Sequence, residues 1–402
     1  MDRGSILLLC SLCLCVSAAM AEEATNHSGV YNVEKYGARG DGKHDDTKAF
    51  AAAWVAACAD SGSPTFEIPR RIYLVGPLRL VGPCSNTGTF TLKVHGVVKA
   101  STDMSLFKTQ EWILFAYLKY LKVTGTGTFD GQGAAAWPLN QCHFQKMCKL
   151  LPVSFKFAFM ENTRVEGITS LNPKFFHVAL LNNTNFRIQR VTLTAPQDSP
   201  NTDGIHLEGC TGVKILQCKI GTGDDCISVG QGNTDVYING ILCGPGHGIS
   251  VGSLGRYPDE KDVNGLVVTG CTLTNTTNGI RIKSWQASPL VTSARNMTFD
   301  NVIAYNVANP IIIDQNYCPY KNGCPQLWPS GVKLSNIKFN NFRGTSTTPV
   351  AVKLQCSARY PCKKIKIQDI NLSYKGEEPA VSACANVMKA SYKGKQVPPP
   401  CQ

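Results

Sequence analysis

From about residue 160 one short pattern recurs, and nothing else in the chain restricts its fold as strongly. It reads apolar, any, apolar, two of any, apolar, any, apolar. Phe186, Ile188, Val191 and Leu193 fit it, as do Val213, Ile215, Cys218, Ile220 and then Val236, Ile238, Ile241, Cys243. Leu266, Val268, Cys271, Leu273 continue it, followed by Met297, Phe299, Val302, Ala304 and finally Ile365, Ile367, Ile370, Leu372. Ile337, Phe339 and Phe342 keep three of the four positions, and Thr163, Val165, Ile168, Ser170 form a looser copy. The copies start 23, 27, 23, 30, 31, 40 and 28 residues apart. Apolar residues at period two mark short strands, and the central pair of free positions shifts the phase by one, as a bend would. No unit is large enough to bury its own face, so the units must stack. The prediction is an all-β fold, a single-stranded right-handed parallel β-helix of about ten coils. Asn residues crowd the bends, at Asn182-Asn183, Asn275 and Asn340-Asn341, where they tolerate left-handed backbone and can bond from coil to coil. A leucine-rich frame is absent, and propeller blades need longer, hairpin-linked strands.

A solenoid has open ends that need covering. Asp45 to Cys58 reads as a helix capped by Asp45 or Asp46, with Ala49, Phe50, Ala53, Trp54 and Ala57 on one apolar stripe. It is placed over the N-terminal end. The tail from Pro379 to Cys401 reads as irregular and is expected to seal the other end through a Cys384–Cys401 bridge. No linker divides the chain, so residues 22–402 are read as one domain.

Arg3, the apolar run Ile6 to Val16 and Ala19-Met20-Ala21 form a secretory signal peptide over residues 1–21, too short to span a bilayer. The expected location is therefore extracellular, with no membrane attachment after cleavage. Sequons at Asn26, Asn182, Asn275, Asn296 and Asn371 then become glycosylation candidates. Of 18 Cys, Cys10, Cys13 and Cys15 leave with the signal. The odd remainder requires at least one thiol outside intramolecular bridges. Cys142/Cys148, Cys318/Cys324 and Cys356/Cys362 could clip local loops, and the compartment favours disulfides over zinc. The net charge of +12 is spread along the chain, which suits an anionic partner. No aromatic-basic interleaving supports nucleic acid.

Stacking turns sequence spacing into proximity, because residues one coil apart lie about 4.8 Å apart in height. Four polar clusters then align: Asn201-Thr202-Asp203-Gly204, Gly223-Asp224-Asp225, Gly246-His247-Gly248 and Arg281-Ile282-Lys283. Asp203 to Asp224 is 21 residues and Asp225 to His247 is 22, while the loop from Leu254 to Asn264 absorbs the longer step to Arg281. Taken singly, each has a plain structural reading: an Asp in a turn, an exposed His, a solvated strand face. Independent turns would not fall in register, and three stacked acids repel one another. Carboxylates held together cannot all ionise easily, so one keeps its proton while its neighbours activate water. Glycoside hydrolysis needs that division. Arg and Lys beside the acids would hold an anionic sugar by its carboxylate.

On these motifs the chain resembles glycoside hydrolase family 28, the polygalacturonases. Asn201-Thr202-Asp203, Gly223-Asp224-Asp225-Cys226, Cys243-Gly244-Pro245-Gly246-His247-Gly248 and Arg281-Ile282-Lys283 match the family motifs without departure. Val33 to Thr47 and Gly127-Thr128-Phe129-Asp130-Gly131-Gln132-Gly133 resemble the plant members, and the segments Ile311 to Cys324 and Cys356 to Cys401 look most like pollen-expressed exopolygalacturonases. The resemblance implies a secreted cell-wall enzyme that hydrolyses polygalacturonate, exo-acting, monomeric, and working without metal or cofactor. It implies that Asp224 is the general acid, that Asp203 and Asp225 activate the water, and that His247 tunes the acid. Arg281, Lys283, Asn201 and Tyr317 would bind substrate, and Cys226–Cys243 would form a disulfide under the site. The family inverts, which asks for carboxyl groups about 6.5–9.5 Å apart across the cut. Three alternatives remain: an endo-acting cleft with the same chemistry, a calcium-dependent pectate lyase, and a β-helix that only binds pectin.

Overall fold

The computed structural model describes residues 29–142, 148–320, 323–324 and 328–401. The predicted signal segment, 1–21, and the sequon at Asn26 lie outside the described residues. All named strand pairs are parallel, and they form a three-faced β-helix. One face runs upward from Val30–Asn32 through Thr65–Ile68, Phe90–Val94 and Thr184–Gln189. A second runs from Asp41–Asp45 through Ile72–Val75 to Thr192–Thr194 and beyond. The third is a sheet of its own, eleven strands among the described residues, from Leu78–Val81 to Val381–Ala385. Coils therefore begin at Val30, well before the repeat is readable in the sequence.

The pattern is explained residue by residue. Ile188, Ile215, Ile238, Val268, Phe299, Phe339 and Ile367 lie in register on successive coils of the first face, all buried. Leu193, Ile220, Cys243, Leu273 and Ala304 do the same on the second. Of the two free central positions, the second always holds the bend. Gly167, Arg190, Gln217, Gly240, Gly270, Asn301, Asn341 and Asp369 all have positive φ, which turns the chain and shifts the phase by one. The tolerance at this position is for small or polar residues that accept left-handed backbone. Asn ladders run as expected: Asn336 Nδ2 donates to Asn296 Oδ1 and Asn296 Nδ2 to Asn264 Oδ1, both at 2.7 Å. Asn306 reaches Asn275 in the same way.

Helix α1 spans Thr47–Ala59, and the expected stripe of Ala49, Phe50, Ala53, Trp54 and Ala57 is buried. Phe50 and Trp54 pack on Phe66, Tyr73 and Phe90 of the first coils, closing the end of the core. The start differs from the sequence reading. Asp45 ends a strand, where its carboxylate accepts the Thr47 N–H, and Asp46 stands at the cap position without capping. Asp46 instead accepts the N–H groups of Arg39 and Gly40, folding the preceding turn back onto the helix. The Cys58–Cys84 disulfide, not foreseen, ties the helix to the next coil. At the other end Cys384–Cys401 forms as expected. The tail is more regular than predicted, with strands at Val381–Ala385, Val387–Met388 and Ser391–Val397. These strands pair on one edge only and are largely exposed, so they lack the apolar alternation that marks the others.

Cys142–Cys148, Cys226–Cys243, Cys318–Cys324 and Cys356–Cys362 are also bridged. Among the described residues three thiols are free rather than the minimum of one: Cys210, Cys218 and Cys271, all buried. Burial pushes each up to about 11, so they act as small apolar core residues. Asn182, Asn275, Asn296 and Asn371 are all exposed.

Candidate active site

The polar residues gather where the second face turns into the third. Ile205–Glu208, Ile227–Val229, Ile249–Leu254 and Asn278–Trp285 are neighbours in the third face, with Ile205, Ile227, Ile249 and Ile280 in register. Two residues before each stand Asp203, Asp225, His247 and Asn278. The sequence spacing paired Asp203 with Asp224; in the fold Asp203 stacks on Asp225, and Asp224 sits one residue earlier on the turn. Glycines allow the crowding. A Cβ on Gly223 would lie 1.9 Å from Ser199 O, and one on Gly248, where φ is +89°, 2.0 Å from Asn278 O.

Asp224 is held by three donors. His247 Nδ1 lies 2.9 Å from Oδ1, the Asp225 N–H 2.8 Å from the same oxygen, and Asn201 Nδ2 3.2 Å from Oδ2. Asn201, expected to meet substrate, accepts from Asn140 on its other side and so fixes Asp224. Asp225 is only 1% exposed and already saturated. Ser250 Oγ and Arg281 reach its Oδ1 at 2.7 and 3.1 Å, and Lys283 Nζ reaches Oδ2 at 2.6 Å. The two cations expected to grip the sugar therefore first neutralise a buried carboxylate. Both keep N–H groups for a substrate, since Lys283 makes one bond and Arg281 Nη1 makes none among the described residues. Tyr317 lies beneath them, its ring centroid 5.7 Å from Arg281 Cζ and 5.3 Å from Lys283 Nζ.

Asp203 is 6% exposed, and its Oδ2 accepts from Ser228 Oγ at 2.8 Å. Burial, then the charges of Asp224 and Asp225, raise its pKa well above the usual carboxylate range. For Asp224 burial pushes the same way but loses to the His247 hydrogen bond and charge and to Lys283 and Arg281, so its pKa is lowered. His247 is raised: burial opposes its charge most, but the bond to Asp224 and the charges of Asp224 and Asp225 together outweigh it. The two carboxyls thus stand opposite to the expected order, with Asp203 holding protons more tightly than Asp224.

One ligand atom from each of Asp224, Asp225 and His247 falls within 4.8 Å of the others. This is tighter than the spacing expected of an inverting pair, so Asp224 and Asp225 do not face each other across a wide gap. A cation there would have to displace Arg281, Lys283 and the His247 hydrogen bond, which argues against the lyase reading of these acids as a calcium site.

All eight predicted site residues line one cleft of about 800 Å³. The bridged pair Cys142 and Cys148 borders it toward the N-terminal coils, and Pro319 and Tyr320 toward the C-terminal ones. Among the lining residues that escaped the sequence reading are His206, Ser228, Arg256 and Trp285. Arg256 stacks on Trp285 and Tyr257, and Glu260 accepts the N–H groups of Gly255, Arg256 and Tyr257 to hold that loop. Ser228 and Ser250 were legible in principle. His206, Ser228, Ser250 and Arg281 occupy one row on successive coils, the coil spacing that aligned the carboxylates.

A parallel β-helix with stacked acids and buried cations beside a groove defines a class, the solenoid enzymes that cleave acidic polysaccharides. Residues 58–393 match the profile of glycosyl hydrolases family 28. The chain belongs to that family. It is 49% identical over 370 residues to an exopolygalacturonase of Platanus acerifolia, covering 92% of this chain and 97% of that one. An exopolygalacturonase of Zea mays is 44% identical over 373 residues, covering 92% and 90%. Among solved structures, a hyperthermoactive exopolygalacturonase from Thermotoga maritima superposes with a TM-score of 0.73 at 19% identity, covering 91% of this chain and 92% of that one. At that identity the likeness concerns the fold.

Proposed function

We propose that this chain is a secreted, exo-acting polygalacturonase that hydrolyses α-1,4-galacturonosyl bonds of polygalacturonate and releases galacturonate in the cell wall. Residues 22–402 would form one catalytic domain. The observation that supports this best is the grouping of three carboxylates and two largely buried cations, both paired with Asp225, on one cleft wall, in a chain so similar to named exopolygalacturonases. Loops at both ends of the cleft agree with a short substrate site.

In this reading Asp224 protonates the leaving oxygen and Asp203 takes a proton from the attacking water. A raised pKa makes Asp203 a stronger base when ionised. Asp225, enclosed by its cations, acts as the counter-ion that orients Arg281 and Lys283. The proton for Asp224 is stored in its bond with His247. A uronate carboxylate arriving at Arg281 and Lys283 cancels the positive charge that holds Asp224 down, and so moves that proton toward the acid when substrate is present.

The high pKa of Asp203 favours a second reading with the roles exchanged. Galacturonosyl fluoride separates them, because fluoride leaves without a proton. Asp224→Asn should recover turnover on the fluoride and Asp203→Asn should not; the reverse pattern exchanges acid and base. The mode of action is tested by the masses of early products from polygalacturonic acid with EDTA present. Saturated monogalacturonate alone is expected. A ladder of saturated oligomers would mean an endo-acting cleft, and products lighter by one water would mean elimination.

A further inference from the structure

His206 lies beside the acids but belongs to none of the roles above. It sits on Ile205–Glu208, three residues after Asp203, and points outward into the cleft. Its Nδ1 is 2.8 Å from Ser228 Oγ, and that hydroxyl is 2.8 Å from Asp203 Oδ2. The ring is fixed from both sides. Phe176 packs against it at 5.2 Å, and its Cε1–Nε2 edge lies over Gly230, where an added Cβ would meet Cε1 at 3.4 Å and Nε2 at 3.6 Å.

With Asp203 ionised, as its role as the base requires, proton counting fixes the tautomer. An ionised Asp203 only accepts, so Ser228 must give it the hydroxyl proton. Ser228 has no second proton, so its contact with His206 must be Nδ1–H donating to Oγ. A neutral imidazole carries one N–H, which leaves Nε2 as a bare acceptor. Nε2 has no hydrogen-bond partner among the described residues and is not among the buried unpaired atoms. Arg281 and Lys283, which line the same wall, offer donors only. A sugar brings hydroxyl donors as well as a carboxylate, and they need an acceptor.

We infer that His206 is a specificity-determining residue, accepting a galacturonate hydroxyl at Nε2 while its Nδ1 orients Asp203 through Ser228. The inference rests on the assignment of Asp203 as the base. It also demands that His206 stay neutral where the carboxylates work. Burial and the Lys283 charge lower its pKa, and the facing charges of Glu208 and Asp225 oppose them without reversing the shift. Ser228 and Phe176, the other groups against the ring, carry no charge.

Two substitutions separate its two nitrogens. His206→Asn keeps an N–H at the Nδ1 position but cannot reach the substrate; His206→Phe keeps the ring and loses both. With polygalacturonate, His206→Asn should raise KM about tenfold, the worth of one lost hydrogen bond, with kcat within about threefold of wild type. His206→Phe should lower kcat as well. Wild-type KM should climb as pH falls through the lowered pKa of His206, and His206→Asn should flatten that climb. An unchanged KM with an unchanged pH profile in His206→Asn overturns the inference, as does an equal loss of kcat in both variants without a KM effect. Should the variants fail to fold, ¹⁵N shifts of the wild-type ring, taken above the raised pKa of Asp203, decide: protonated Nδ1 with bare Nε2 is required, and an Nε2–H ring refutes it. Full activity in Asp203→Asn would instead remove the base assignment itself, whatever His206 does.

Discussion

Two columns of polar side chains climb this solenoid, and they obey opposite rules. On the first face Asn264, Asn296 and Asn336 stack amide on amide: Asn336 gives an N–H to Asn296, and Asn296 gives one to Asn264, both at 2.7 Å. At the corner of the third face Asp203, Asp225 and His247 stack acid on acid. The Asn column can repeat without limit, because an amide carries both a donor and an acceptor. The acid column cannot, because carboxylates only accept and their charges add. Each acid therefore needs a different neighbour: Ser228 for Asp203, Lys283 and Arg281 for Asp225, and His247 for the adjacent Asp224. Repetition identifies scaffold, and its interruption identifies the site.

The sharpest test of that contrast is a substitution that changes one column's chemistry and leaves its shape. Asp224→Asn should cut kcat on polygalacturonate by about 10²–10⁴-fold with the thermal midpoint preserved, since general acid catalysis contributes that much. A rate near wild type would break the assignment. Next comes Lys283→Ala, which leaves the buried Asp225 carboxylate with Arg281 as its remaining cation. It should cost up to about 3–5 kcal/mol of stability, read by denaturant unfolding, as well as activity. If activity alone falls, Arg281 suffices to neutralise Asp225.

The third test uses pH. The folded pKa of Asp203 is raised, so its contribution is fully present below the unfolded carboxylate pKa and is lost as pH rises through the folded value. Asp203→Asn should therefore match wild type in stability near pH 4 and exceed it at neutral pH, by about 1.4 kcal/mol for each unit the pKa is raised. Thermal melts across that range check the sign. The smallest effect belongs to the other column. Asn336→Ala removes one exposed rung and places Ala at a φ of 54°, for a loss of about 1–2 kcal/mol with kcat unchanged. Asn336→Gly should lose less.

Much of this was legible before any coordinate. Apolar spacing gave the strands and the bends, and coil arithmetic brought Asp203, Asp224, Asp225, His247, Arg281 and Lys283 to one wall. The misses share a cause: spacing reports height along the stack and not direction around it. Asp203 was matched to Asp224 when its true neighbour is Asp225, because one residue of phase is invisible in a count of 21 or 22. Asp46 looks like a cap by position, and only the turn at Arg39-Gly40 shows where its carboxylate goes. His206 is one polar residue in a short strand, a pattern every half-exposed strand shows. Its meaning depends on Ser228 one coil above. The early coils, from Val30 to about residue 160, carry fewer matched pairs and more aromatic stacking, so their period fades.

The left-handed bend that recurs at Gly167, Arg190, Gln217 and onward has a consequence for how such an enzyme can change. It locks every coil to the one beneath, so the reactive groups stand on a ruled scale whose divisions are set by backbone hydrogen bonds. A mutation cannot slide an acid by half a division. It can exchange the residue on a mark, turn a side chain, or lengthen a loop that overhangs the scale. Diversification on this scaffold should therefore proceed by redecorating fixed marks and remodelling the overhangs, while the gauge itself stays put.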